Sequence, residues 1–213
     1  MNLASPSRRR GRPPASNSEE TFEALVDGAR RLFSERGYGG VTNKDLAAAA
    51  GVTTGALYHY VESKLELYLS VHRDTQVRIY RRFIVAVNAE DTFVGKLASV
   101  LETADAMNAE DPSFARFIGM VRADVARHPE LAENLASAEA EREAFFVGMV
   151  ETGIATGEVR RADAGRLADV IRLLLVGLTE GACSEPERQR RTIDGVMALI
   201  RGELLHPPTP PAS

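Results

Sequence analysis

Between residues 42 and 64 the chain concentrates side chains able to hydrogen-bond a polar, charged surface. They are the hydroxyls of Thr42, Thr53, Thr54, Tyr58 and Tyr60, the imidazole of His59, and the ammonium groups of Lys44 and Lys64. Gly55 and Ala56 lie among them with little or no side chain, leaving room for close approach. This set is not one that does covalent chemistry. His59, His72, His128 and His206 include no His-x-x-x-His pair. Asp124 with His128, and Glu203 with His206, would supply two metal ligands each, short of a site. No G-x-S-x-G elbow, P-loop or cysteine nucleophile with a partner is present. The expectation is no enzyme, no metal and no cofactor.

The elements around these residues say what they are for. Thr42 can cap a short helix, with Asp45 in the place of a capping-box acid. Leu46, Ala47 and Ala50 give that helix an apolar face, and Gly51 falls where a tight turn needs positive φ. Thr53 caps a second short helix, anchored by Leu57 and Tyr60. Ala47, Gly51 and Leu57 thus take the small, turn and anchor positions of a helix-turn-helix, whose second helix enters the DNA major groove. Its leading residues, Thr53, Thr54, Gly55 and Ala56, include no long bidentate reader. Base contact there must come from threonine hydroxyls and from Thr and Ala against thymine methyls.

The pieces ARRLFSERGY (29 to 38), VTNKDLAAAAGVT (41 to 53), GALYHYV (55 to 61) and SKLEL (63 to 67) resemble the N-terminal domain of the tetracycline-repressor (TetR) family. These are dimeric, ligand-responsive transcription factors. Val61 stands where the family more often has Phe, and Glu62 where Pro is common. The resemblance implies base contact by Thr54, Gly55 and Ala56, with Lys44 reaching a guanine from the preceding helix. It also implies phosphate contact by Thr42, Tyr58, His59, Tyr60 and Lys64. Tyr60 is equally suited to packing beside Leu57.

Ahead of this domain, Arg8-Arg9-Arg10-Gly11-Arg12-Pro13 contains the R-G-R-P core of an AT-hook. Gly11 lets the backbone lie on a groove floor, Pro13 keeps it extended, and Arg10 and Arg12 follow the negative potential of a narrow A·T-rich minor groove. A solvated basic tail has the same composition. Residues 1 to 17 are polar and Pro-rich and are expected to be a disordered basic arm.

The formal charge of −4 looks unfavourable for DNA, but its distribution is not uniform. Residues 1 to 64 hold nine basic and seven acidic side chains, a net of +2, and the rest carries −6. That asymmetry suits a DNA-facing end and an acidic body turned away from phosphate. Hydrophobic residues make up 44% and aromatics only 6%, with no Trp, so the core is aliphatic and helical. A single cysteine, Cys183, fits a reducing cytoplasm, and its acidic neighbours Glu180 and Glu185 do not suit a redox sensor. No stretch approaches the ~20 apolar residues of a membrane span, and no apolar segment follows the N-terminal arginines as in a secretory signal.

An all-α chain follows: a three-helix DNA-binding domain over 18 to 64, a six-helix ligand-binding and dimerisation domain over 65 to 204, and a disordered tail over 205 to 213. Phe93, Leu97, Phe114, Phe117, Met120, Val121, Phe145 and Met149 are candidate walls of an effector pocket, though apolar stripes also make ordinary core. Asp105, Arg122 and Asp124 are its candidate polar groups. The first of the last two helices is nearly apolar all round and the second carries a clean apolar stripe, which marks Leu167, Ile171, Leu174, Leu178, Ile193, Val196, Met197 and Ile200 for a homodimer interface. The partners expected are double-stranded DNA, a second copy and an unknown small-molecule effector. The rival is a non-specific architectural DNA binder relying on the arm, which leaves the large C-terminal portion without a purpose.

Overall fold

The computed structural model describes residues 15–181 and 186–204 of the 213-residue chain. Arg10, Arg12, Cys183, His206 and the tail from 205 lie outside them. The described residues form nine α-helices and one 3₁₀ turn. The helices are α1 (Ala15–Arg36), α2 (Asn43–Ala49), α3 (Thr54–Leu57), α4 (Lys64–Asn88), α5 (Phe93–Glu110), α6 (Ser113–Arg127), α7 (Pro129–Thr156), α8 (Ala164–Gly181) and α9 (Pro186–Ile200), with the turn at Arg161–Asp163. No helix among the described residues is long and apolar enough to cross a membrane.

The limits of the helices have local reasons. Helix α1 begins before Ser18, since residues 15 to 17 contain no Gly or Pro and a formed helix gains a bond per residue added. Helix α9 stops at Ile200 rather than near Leu204, just ahead of Gly202, which has φ +73°. Helix α7 runs through Gly153 to Thr156 and ends at Gly157 in the left-handed conformation. Gly153 permits a close approach: a Cβ there would stand 2.8 Å from Phe93 Cβ. Asp111-Pro112 separates α5 from α6, with Asp111 Oδ1 accepting from Ser113 N–H at 2.9 Å. Pro129 occupies the first position of α7, where a missing N–H costs nothing.

The buried side chains fall into two clusters rather than one. The first joins α1, α2, α3 and the start of α4 to Phe117 of α6 and to Leu131 and Leu135 of α7. The second holds Phe83 and Val87 of α4 with α5, the later part of α7, and Ile171, Ile193 and Met197 of the last two helices. Helix α4 threads both. The sequence boundary at residue 64 therefore does not mark a break in packing, because the N-terminal head completes its core with helices of the body.

Candidate nucleic-acid interface

The helix-turn-helix is built from three small devices. Thr42 Oγ1 accepts from Asp45 N–H at 3.2 Å while the Asp45 carboxylate accepts from Thr42 N–H at 2.9 Å, a complete capping box. The Thr42 hydroxyl and then its amide hold Asp45 below the ordinary carboxylate range. At the other end of α2, Gly51 has φ +66°, its N–H donates to Ala48 O, and Val52 N–H donates to Ala47 O at 2.9 Å. This paired arrangement is a Schellman C-cap, and it sets the turn. Thr53 Oγ1 then accepts from Ala56 N–H at 3.1 Å and opens α3. Leu46, Ala47 and Leu57 are buried beneath the unit.

What remains outside is the candidate reading surface. Thr42, Lys44, Thr53, Thr54, Gly55, Tyr58 and His59 are exposed, and Ala56 is half-buried. Tyr58 is 51% exposed although it is a large aromatic, and its hydroxyl accepts from Asn43 Nδ2 at 2.7 Å. That bond brings the end of α3 beside the start of α2, where Thr42 and Lys44 flank Asn43 in the chain. Tyr60 is half-buried against the first cluster, in keeping with its packing alternative.

Lys64 is placed differently from the rest. Its ammonium donates to Tyr38 O at 2.9 Å and Val41 O at 3.1 Å, and sits 4.3 Å from the Tyr38 ring centroid. Two of its three donors are thus committed inward, clasping the α1–α2 connection to α4. Val61, the departure from the usual Phe, is buried within the first cluster.

Behind the interface lies a set of contacts that sequence spacing did not disclose. Asp124 of α6, 1% exposed, accepts from Tyr38 N–H at 3.0 Å and from the Tyr68 hydroxyl at 2.9 Å. Burial, then the Asp124 charge, pushes the Tyr68 phenol far above its usual range. Asp124 is therefore spent on the head and not on a ligand or on His128, whose ring packs edge-on to Tyr38. Arg30 of α1, 2% exposed, donates to Ser113 Oγ, Asp27 and Asp111, and its guanidinium lies 3.9 Å from the Phe114 ring centroid. Ser113 and Asp111 are more than 80 positions away, beyond any periodicity argument.

The candidate effector walls divide between the two clusters. Phe93, Leu97 and Met149 are buried in the second, with Phe145 against it. Phe117 is buried in the first, with Val121 packed on it, Phe114 lies under Arg30, and Met120 sits next to Gly37 of the head. Asp105 pairs with Arg190 at 3.0 Å, and Arg122 is exposed. Of the candidate dimer residues, Ile171, Ile193 and Met197 are buried within their own chain, and Leu167, Leu178 and Val196 pack partly onto the same cluster. Leu174 is half-buried and Ile200 exposed. The larger uncovered apolar side chains here are Val170, Leu173, Leu199 and Leu204, with Leu173 72% exposed.

Comparison with known proteins agrees with this geometry. Residues 25–71 match the model of bacterial regulatory proteins of the tetR family. The HTH-type transcriptional repressor AcnR of Corynebacterium diphtheriae is 35% identical over 69 residues, 32% of this chain and 36% of its own length. The HTH-type transcriptional repressor KstR2 of Rhodococcus jostii is 28% identical over 152 residues, 70% of this chain and 74% of its own. The chain therefore matches about a third of the AcnR repressor's length and three quarters of KstR2's. The crystal structure of a TetR transcriptional regulator from Chloroflexus aurantiacus superposes with a TM-score of 0.74 at 26% identity, covering 87% of this chain and 96% of that one. The all-helical architecture, a helix-turn-helix followed by a helical body, is that of TetR regulators.

Proposed function

We propose that the chain is a sequence-specific transcriptional repressor of the cytoplasm that grips a palindromic operator as a homodimer and releases it when a small molecule binds the body. The observation that carries this is the capped helix-turn-helix with Thr53, Thr54, Gly55, Lys44 and Tyr58 all left on its surface. Threonine hydroxyls and methyls read base edges, Lys44 reaches a guanine, and Tyr58, His59 and Thr42 hold phosphates. Lys64 contributes by fixing the connection that carries Thr42, with its third donor toward the backbone. Arg10 and Arg12 add the neighbouring minor groove.

One α3 of four residues discriminates too little DNA alone, so two heads act together on two half-sites. Val170, Leu173, Leu199, Ile200 and Leu204 supply the apolar surface that a second copy covers. Effector binding favours a state in which α4, which runs through both clusters, holds the heads at a different separation. Affinity for the operator then falls by the difference in binding to the two states.

The test is a gel-shift titration on DNA from beside the chain's own gene, with random duplex as competitor. A repressor retains a footprint over an inverted repeat under excess competitor, whereas an architectural binder loses it. Deleting residues 1–12 should flatten the salt dependence by ~0.9 in log–log slope per phosphate lost, and an unchanged slope would remove the arm from the account.

A further inference from the structure

Tyr58, His59 and Tyr60 follow one another at the end of α3, yet they are held differently. Among the described residues, only Tyr58 of the three has its polar atom fixed: the phenol oxygen accepts from Asn43 Nδ2 at 2.7 Å. Asn43 is the first residue of α2, half-buried, and takes no part in the Thr42–Asp45 cap. Tyr58 closes α3 and is 51% exposed. Its ring is therefore held at the root, beside buried Leu57, and at the tip, by a side chain 15 positions earlier. A phenol has one proton to donate and lone pairs with which to accept. With Asn43 on the accepting side, the Tyr58 O–H is left unspent, and no carbonyl or carboxylate among the described residues takes it.

We infer that Asn43 is a positioning residue for DNA binding, which keeps the Tyr58 phenol fixed as a donor to a backbone phosphate oxygen. A phosphate oxygen accepts, so a tyrosine whose proton was given to a neighbour could offer it nothing. The Asn43 amide donates and leaves the phenol proton free, whereas a carboxylate of the same size would take that proton. Fixing the ring before DNA arrives also lowers the ordering cost that an exposed side chain otherwise meets on binding. The inference rests on the reading of this surface as the DNA contact of a repressor, and adds to it a residue that acts through Tyr58.

The test is a double-mutant cycle on the full chain, read by fluorescence anisotropy with a labelled duplex carrying the inverted repeat beside the chain's own gene. Tyr58→Phe should weaken binding ~10-fold or more, the loss of a hydrogen bond to a charged acceptor. Asn43→Ala should weaken it ~5-fold alone, but no more than roughly 2-fold once Tyr58→Phe is in place. Asn43→Asp adds a charge that repels phosphate in either background. Its penalty should nevertheless be larger with Tyr58 intact than with Tyr58→Phe, and the excess measures the captured proton. Asn43→Ala removes no charge, so its salt slope should match that of the wild type, and its Tm should stay within ~2 °C. A flattened slope or a larger fall in Tm would mark a general disturbance of the head and overturn the inference. So would an Asn43→Ala variant that binds as the wild type does, or losses that simply add, since Asn43 would then touch DNA by itself. Wild-type binding with additive losses rejects Asn43 alone, whereas a wild type that binds no such duplex rejects the repressor reading itself.

Discussion

The N-terminal head and the last two helices solve opposite problems with the same material. In the head, α2 and α3 together span 11 helical residues, and caps, one left-handed glycine and buried Leu46 and Leu57 hold them in place. Its exposed side chains are mostly polar or small. In α8 and α9, apolar faces cover the second cluster and still leave Val170, Leu173 and Leu199 in water. Apolar side chains left uncovered together mark a contact surface. The difference teaches that a helix-turn-helix can be set by local caps and turns, whereas an uncovered apolar face is defined by what the monomer fails to cover. We propose that the first meets DNA and the second another copy.

Breaking the head through its core should have the largest effect. Phe33 is wholly buried among Tyr38 and Tyr68, so Phe33→Ala should cost ~3–5 kcal/mol in denaturant unfolding. Breaking the other region should do the reverse. Leu173→Arg should leave the helical signal intact while sedimentation velocity shifts toward the monomer, and operator affinity should fall with it. A variant that stays dimeric would remove α8 from the interface.

Acid tests the seam between the two regions. Burial, with Arg142 adding to it, lowers the His72 pKa to about 4 from 6.5. The unfolded chain therefore binds a proton in the window from 6.5 to 4 that the folded chain refuses, so stability rises with pH across it. On this ground unfolding free energy should drop by roughly 3 kcal/mol from pH 7 to pH 4. His72→Gln should remove most of that slope, and a profile unchanged by the substitution would show that His72 is not the group responsible.

Smaller effects sharpen the head alone. Gly51→Ala meets no neighbouring atom, so its cost is the left-handed backbone only, ~1–2 kcal/mol. Thr53→Ala loses the α3 cap and should cost ~1 kcal/mol. Melting curves would rank the two, and a reversed order would locate the strain elsewhere.

Legibility followed the same division. Thr42 with Asp45, Gly51 and Thr53 act on residues within a few positions of themselves, so spacing alone disclosed their roles. Asn43 on Tyr58, Asp124 on Tyr38 and Tyr68, and Arg30 on Asp111 and Ser113 join residues 15 to 86 positions apart, and only the folded chain brings them together. Lys64 shows the limit most clearly, since its place in the motif suggested phosphate while its ammonium is engaged by Tyr38 and Val41 carbonyls. Apolar periodicity marked α8 and α9 as unusual, yet it could not separate Ile171, buried at home, from Leu173, left outside.

The central claim is that two heads work at one fixed separation. It is tested most directly by fluorescence anisotropy on an operator duplex whose half-sites are moved apart by 5 base pairs, half a helical turn. Rotating one half-site to the opposite face should weaken binding ~100-fold or more, since only one head can then engage. Equal affinity for both duplexes would contradict the account.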